Sequence, residues 1–160
     1  MELDFGLLAD AATVDASGKL NVLGVFDRIQ ARDFPARHGR LSLVLRFSAG
    51  GGELGAHQVE IRLRGPGDRE LLRLDGRLDI GGGSRETREG IKVPHVLNLD
   101  GITFPEAGTY FFDILADGRS LMSIPLRLDA ASGAPASMPH ASGGGPPPPF
   151  AFGSGGPAQA

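Results

Sequence analysis

The chain has 160 residues, the length of one domain, and 16 Lys and Arg residues nearly balance 19 Asp and Glu residues, for a formal net charge of −3. This balance argues against partners such as nucleic acid or an anionic membrane, which attract strongly basic surfaces. The absence of cysteine excludes disulfides, thiol nucleophiles and thiolate metal sites, and the acidic start "MELDF", without a long apolar run, predicts a cytoplasmic protein.

The first predicted element is a β-hairpin over "AATVDASGKLNVLGVF". We expect a four-residue loop, Asp15 to Gly18, with Gly18 in the left-handed conformation. That loop pairs Val14 with Lys19 and sets Ala9 opposite Gly24. One face of the hairpin and its approach would then be apolar, formed by Phe5, Leu7, Ala9, Ala11, Leu20, Val22 and Phe26.

The next segment, "FDRIQARDFPARHGR", is the most basic stretch of the chain. One interpretation is a patch for an anionic ligand or RNA. The other is a connection between two sheets, in which Phe34 and Pro35 close one end of the core. "DRIQARDF" has room for one helical turn at most. The candidate patch residues are Arg28, Arg32, Arg37, His38 and Arg40.

Two segments with strict alternation follow, "RLSLVLRF" and "QVEIRLR". A period of two predicts half-buried strands rather than helices. The residues expected to face the core are Leu41, Leu43, Leu45 and Phe47 in the first strand, and Val59, Ile61 and Leu63 in the second.

Between these strands, Gly50, Gly52 and Gly55 spell G-x-G-x-x-G, the dinucleotide-binding pattern. Such a site needs a helix directly after the glycines, so that the helix N-terminus meets the pyrophosphate. Here an alternating strand follows instead. The glycines therefore predict a flexible hairpin loop between two antiparallel strands, and no nucleotide site.

A second hairpin is predicted over "TYFFDILADGRSLMSIPLRL". A two-residue turn at Asp117-Gly118 would bury Asp113 without a partner. A three-residue loop, Ala116 to Gly118 with a bulge at Gly118, points Asp113 outward and is preferred. Pro125 cannot donate to a ladder, so the last strand should be an edge or bulged there. An edge at residues 119–128 suggests self-association or the addition of a strand donated by a partner. The face expected to be apolar consists of Tyr110, Phe112, Ile114, Met122, Ile124, Leu126 and Leu128.

The chain changes character after Asp129, beyond which no Lys, Arg, Asp or Glu occurs. Residues 130–160, rich in Gly, Pro, Ala and Ser, are predicted to be a disordered tail beside a folded domain of residues 1–129. One interpretation makes the tail a docking peptide anchored by Phe150 and Phe152. The favoured one is a low-complexity extension without a partner.

Turn signals recur about every ten residues up to residue 128, which is typical of an all-β sandwich. We therefore predict one antiparallel, immunoglobulin-like β-sandwich of seven to nine strands. No histidine pair has metal-ligand spacing and no serine-hydrolase elbow occurs, so no catalytic residue, metal or cofactor is predicted. Four turn aspartates could bind calcium, but turns select aspartate for backbone reasons as well: Asp15, Asp68, Asp100 and Asp117.

Four segments together resemble one bacterial family of small domains of unknown function: "DFGLLADAATVDASGKLNVLGVFDRI", "FPA", "LVLRF" and "FPEAGTYFFDILADGRSLMSIPL". The resemblance covers roughly residues 3 to 128 and implies a small β-sandwich. It implies no catalytic residue, ligand or cofactor, and the Pro-rich tail departs from the family pattern.

Three functions are compatible with these observations. The leading hypothesis is a non-enzymatic interaction or accessory domain with a protein partner. The second is a domain that binds a small anionic ligand or RNA through the Arg-rich segment. The third is an uncharacterised hydrolase.

Overall fold

Backbone pairing confirms the all-β prediction. The computed structural model describes residues 1–50, 52–81, 85–87 and 90–131. Within these residues the one helical element is a 3-10 turn at Pro66–Asp68, and no helix there is long and apolar enough to cross a membrane.

Twelve strands occur in this part of the chain. In order they are β1 (Glu2–Val14), β2 (Leu20–Phe26), β3 (Arg28–Ala31), β4 (Ala36–Arg37), β5 (Arg40–Ala49), β6 (Gly55–Arg64), β7 (Glu70–Ile80), β8 (Arg85–Thr87), β9 (Gly90–Asp100), β10 (Thr103–Phe104), β11 (Gly108–Ala116) and β12 (Arg119–Ala130). The predicted seven to nine strands are too few, because β3, β4, β8 and β10 have only two to four residues each and leave no readable alternation.

Ten of these strands form two five-stranded sheets that face each other as a sandwich. The first sheet has the order β2-β1-β5-β9-β8 and the second the order β3-β12-β11-β6-β7, while β4 pairs with β10. Pairing is antiparallel except between β3 and β12, which run parallel.

The core lies between the two sheets, and the predicted strand faces line it. On β5 the four predicted residues are almost fully buried. On β6, Ile61 and Leu63 are buried and Val59 is half-buried against the core. Each fully buried side chain of this size contributes about 1.5–3 kcal/mol relative to exposure. Of the predicted face on β11 and β12, Met122 is half-buried against the core, and the others are buried: Tyr110, Phe112, Ile114, Ile124, Leu126 and Leu128.

The first hairpin has a different register from the predicted one. Val14 pairs with Leu20 rather than Lys19. The N–H of Asp15 donates to the Lys19 carbonyl, so the loop between these two residues is one residue shorter than expected. The carboxylate of Asp15 accepts hydrogen bonds from Ser17 N, Ser17 Oγ and Lys19 N, which closes the loop tightly around the left-handed Gly18 (φ 79°).

This shift also corrects the predicted hairpin face. Ala9 lies opposite Val25, not Gly24. Phe26 packs against the main core. Several of the other predicted residues belong instead to a second hydrophobic cluster, which contains Val44. Val22 belongs to neither and is 37% exposed. The second cluster contains Phe5, Leu7, Ala9, Ala12, Leu20, Val44 and Val96.

The predicted three-residue loop of the second hairpin is wrong, but the predicted faces are correct. Asp117 and Gly118 form a two-residue turn with φ values of 48° and 77°. The pairings Ile114–Met122 and Leu115–Ser120 leave Leu121 as an extra residue, which makes a bulge. The bulge shifts the register back, so Asp113 lies on the face of the sheet opposite the core, as predicted, although it is buried there rather than exposed.

The glycine-rich segment also differs from its prediction. No helix follows the glycines, as expected, since β6 begins at Gly55. However, β5 belongs to the first sheet and β6 to the second. The segment therefore joins two sheets instead of closing a hairpin, because β5 already has β1 and β9 on its two sides.

Residues 26–40 connect the sheets, as one interpretation of the basic segment predicts. Phe34 packs against the core, and residues 28–31 form a strand rather than a helical turn. Strand β3 pairs with β12 only from Arg127 to Ala130. At Pro125, β12 has no strand on the side opposite β11 among the described residues, as predicted. The predicted edge of residues 119–128 is nevertheless wrong at its end, because Arg127 and Leu128 pair with β3.

Candidate functional site

Strand β2 is an edge of the first sheet and exposes large apolar side chains. Leu23 is 72% exposed and Val25 is 62% exposed, with Val22 beside them and Val14 on the neighbouring strand. We call these four residues the β2 edge. Strand β2 pairs with β1 on one side, and no strand of the described chain pairs with its other side.

Strand β2 carries no charged residue and no proline, two features that often protect an exposed edge strand. Natural edges carry charged residues, prolines or an inward-pointing charge that prevents pairing with another chain. From Leu20 to Phe26 the sequence "LNVLGVF" contains none of these. The charged residues nearest to the strand are Lys19 before it and Asp27 after it, and both are exposed. An uncharged strand of this kind is a template for a further strand.

The hairpin geometry directs backbone groups of β2 to the open side. The N–H of Asp15 donates to the carbonyl of Lys19 at 2.9 Å, so the backbone groups of Lys19 point toward β1. Successive residues alternate sides in an antiparallel ladder. The N–H and C=O groups of Leu20 and Val22 therefore point away from β1.

Gly24 marks an irregular point in this strand. Its φ is 66°, and the carboxylate of Asp10 lies against it where a Cβ atom would be. Any other residue at position 24 would have a strained backbone conformation, and its Cβ atom would clash with this carboxylate. Glycine thus lets Asp10 pack beside the strand without displacing it.

The sequence predicts self-association at a different edge, residues 119–128. That edge of β12 carries Pro125, which has no N–H, and an exposed Arg119, both of which disfavour strand addition. The β2 edge escaped sequence reasoning because the predicted register put Val22 and Phe26 on one core face. The sequence feature that could have indicated an exposed edge is the uncharged run of residues 20–26, in which apolar residues occupy successive positions.

The five residues of the predicted basic patch do not form one surface. Arg28 pairs with Asp129 at 3.2 Å, and Arg40 pairs with Asp100 at 3.1 Å. The other three line a cleft of about 310 Å³ at the end of the sandwich, together with Asp33 and Phe104: Arg32, Arg37 and His38. The ring of His38 packs on Phe26 at 5.7 Å, and its Nε2 is buried without a hydrogen-bond partner among the described residues.

The other described histidines lie in separate environments. His57 is held at both ring nitrogens, by the Asp117 carboxylate at 2.7 Å and the Glu53 carbonyl at 3.0 Å. His57 and the Gln58 N–H lower the pKa of Asp117 below its usual range. His95 lines an apolar crevice of about 250 Å³ between the sheets, and desolvation there lowers its pKa.

The turn aspartates are similarly occupied by protein groups. Asp15 closes its own loop, Asp68 pairs with Arg64, and Asp100 pairs with Arg40. No group of three or more metal-ligating side chains occurs in the part of the chain that the structure describes. The candidate tail anchors Phe150 and Phe152 lie outside that part.

Comparison with known proteins agrees with the resemblance found in the sequence. A family model described as a family of unknown function, DUF6941, matches residues 4–129. These are nearly the residues, 3 to 128, over which the four sequence segments carry the resemblance. No curated protein matches the chain significantly.

Proposed function

Because the chain belongs to DUF6941, a family of unknown function, we propose its role from its own surface: a non-enzymatic protein-interaction domain of the cytoplasm. It binds an extended segment of a protein partner along strand β2. The partner segment continues the first sheet, and its apolar side chains cover the β2 edge.

The observation that carries this proposal is the exposure of Leu23 and Val25 on an edge strand without charge or proline. Strand addition combines backbone hydrogen bonds, which give affinity, with contacts to alternate side chains, which give specificity. The open side of β2 offers the N–H and C=O groups of Leu20 and Val22. Covering exposed Leu and Val side chains adds about 25 cal/mol for each Å² of apolar surface removed from water.

Site-specific photo-crosslinking in cells tests this function. A photoreactive residue at position 23 or 25 of the full chain should give a discrete crosslinked species with one protein. Leu54 is the matched control, because it is also apolar and 58% exposed but lies outside the β2 edge. Crosslinks that are absent at positions 23 and 25, or identical to those at position 54, would contradict the proposal.

A second candidate function is binding of a small anion in the cleft at the end of the sandwich. It is favoured by the unpartnered Nε2 of His38 beside Arg32 and Arg37, two guanidinium groups that can hold a carboxylate or phosphate by paired hydrogen bonds. Asp33, also in the lining, partly offsets their charge.

Phosphate titration followed by NMR tests this second candidate. The double substitution Arg32→Ala and Arg37→Ala should abolish salt-sensitive shifts of the cleft residues. Arg40→Ala is the control, because Arg40 is paired with Asp100 and does not line the cleft. Shifts that survive the double substitution would exclude the cleft as an anion site.

A further inference from the structure

We propose that the strand added to β2 is β2 of a second copy of this chain, in an antiparallel pair with Leu23 on the two-fold axis. This inference rests on the proposed use of the β2 edge and names its occupant. A two-fold pair of edge strands would join the first sheets of two copies into one continuous ten-stranded sheet. Such an isologous interface closes on itself and gives a dimer.

The register follows from which backbone groups face the open side. The backbone groups of Leu20 and Val22 point away from β1. The register with β1 is the same on both sides of Gly24, since Leu23 pairs with Ala11 and Val25 with Ala9, and this places the groups of Gly24 and Phe26 on the open side as well. With Leu23 on the axis, Val22 meets Gly24 of the second copy, and Leu20 meets Phe26. Both pairs join outward-facing residues, as hydrogen-bonded pairs in a ladder require.

The flanking charges select this register. Pairing through Leu23 sets Lys19 of one copy opposite Asp27 of the other, at both ends of the interface. Neither side chain has an ion-pair partner among the described residues, and both residues are exposed. Moving the axis by one residue would separate the two charges. The uncharged strand between them contributes no repulsion between copies.

The apolar side chains of the β2 edge fit this arrangement as well. Leu23, which has the highest exposure among the exposed large hydrophobic residues of the described chain, meets its own symmetry mate. Val25 lies opposite Asn21, diagonal to the Leu23 pair and within side-chain reach of it. Burial of these side chains would remove from water the surface that the isolated chain exposes.

Charge reversal tests both the dimer and its register in the full-length protein. Lys19→Glu alone sets a carboxylate at position 19 against Asp27, and Asp27→Lys alone sets an ammonium group at position 27 against Lys19. Each variant should weaken self-association about tenfold or more, because two attractive pairs become repulsive. An equimolar mixture of the two variants should restore it, because each heterodimer contains only opposite pairs.

Sedimentation equilibrium over a range of concentrations provides the readout. The unsubstituted chain should reach a dimer, Leu23→Lys should remain monomeric, and Leu54→Lys should behave like the unsubstituted chain. The restoring mixture also excludes misfolding as the cause, because two misfolded variants would not restore each other.

Three results would overturn the inference. A chain that stays monomeric at high concentration would show that the occupant of β2 is not a second copy; a discrete crosslink from position 23 to another protein would then still support the proposed function. A dimer that persists in Leu23→Lys would place the interface elsewhere. A mixture that fails to restore association would contradict the antiparallel register.

Discussion

At the scale of single residues, Asp113 shows how a charge is accommodated beside the core. It is 9% exposed, accepts a hydrogen bond from Ser123 Oγ at 2.6 Å, and pairs with Arg64. Desolvation raises its pKa, but the hydrogen bonds from Arg64 and Ser123 and the charge of Arg64 outweigh it, so the net pKa lies below the usual value. The carboxylate is therefore charged at neutral pH.

Removing this carboxylate should be costly. Asp113→Ala leaves Ser123 without its acceptor and leaves Arg64 paired only with the exposed Asp68, and we expect about 2 kcal/mol of lost stability in urea unfolding at pH 7. The matched control is Asp79→Ala, because Asp79 is 69% exposed in its pair with Arg77 and should cost less than about 0.5 kcal/mol. If both variants lost the same unfolding free energy, the buried contacts of Asp113 would stabilise the fold no more than the exposed pair of Asp79 does.

The lowered pKa of Asp113 also predicts a pH dependence. A carboxyl whose pKa is lower in the folded than in the unfolded chain stabilises the fold above its unfolded pKa of about 3.9. That stabilisation disappears as pH falls through the folded pKa. Unfolding free energies measured from pH 7 to pH 2 should therefore fall less steeply in acid for Asp113→Asn than for the unsubstituted chain. Parallel curves would contradict this assignment.

Tyr110 provides a second residue-scale prediction. Its ring is fully buried against Phe104 at 5.0 Å, and its hydroxyl donates to the Glu106 carbonyl at 2.7 Å, an arrangement similar to the tyrosine corner of immunoglobulin-like sandwiches. Tyr110→Phe keeps the ring and removes the hydrogen bond, so we expect about 1 kcal/mol of destabilisation in urea unfolding. Tyr110→Leu, which also removes packing, should cost clearly more; a Phe variant as unstable as the Leu variant would contradict the role of the hydroxyl.

At the scale of elements, the faces of strands were predictable and their registers were not. Alternation in β5, β6, β11 and β12 follows directly from the need to bury one face. A register depends on single residues: the Asp15 hydrogen bonds shorten the first loop, and the bulge at Leu121 compensates the two-residue turn. Neither feature has a hydrophobic signature. The same limit hid the β2 edge, because the predicted face joined Val22 to Phe26, whereas Phe26 packs against the core and Val22 is 37% exposed.

The first hairpin loop can be tested by a pair of glycine substitutions. Gly18→Ala should destabilise the protein by about 1 kcal/mol, because a φ of 79° places the new Cβ in the strained left-handed region. Gly76→Ala, on β7, is the control: its Cβ would meet nothing within 4 Å, and the change should stay within about 0.5 kcal/mol of neutral. Thermal unfolding of both variants measures the difference, and a stable Gly18→Ala variant would argue against this loop conformation.

At the scale of the whole molecule, the sheets are tied together by contacts distant in sequence. Strands β2 and β3 are separated by one residue yet lie in different sheets, and β12, the last strand of the described residues, returns to pair with β3. The assignment of strands to sheets could not be read from the sequence, because alternation states that a strand has a buried face but not which neighbours it has. For this reason the sequence predicted a hairpin at the glycine-rich segment, whereas the segment connects β5 of the first sheet to β6 of the second.

The closing contact between β12 and β3 sets where the folded domain should end. Arg127 N–H donates to the Asp27 carbonyl and Ala131 N–H to the Ala31 carbonyl, each at 2.8 Å, and Leu128 is buried in the core. A chain truncated after Ala131 should therefore keep its thermal midpoint within about 2 °C, because every one of these contacts remains. A chain truncated after Leu126 loses Leu128 and the ladder, and should lose more than about 3 kcal/mol of stability. Should the first truncation lower the midpoint as far as the second, residues 132–160 would have to stabilise the sandwich, and the predicted division into domain and tail would be wrong.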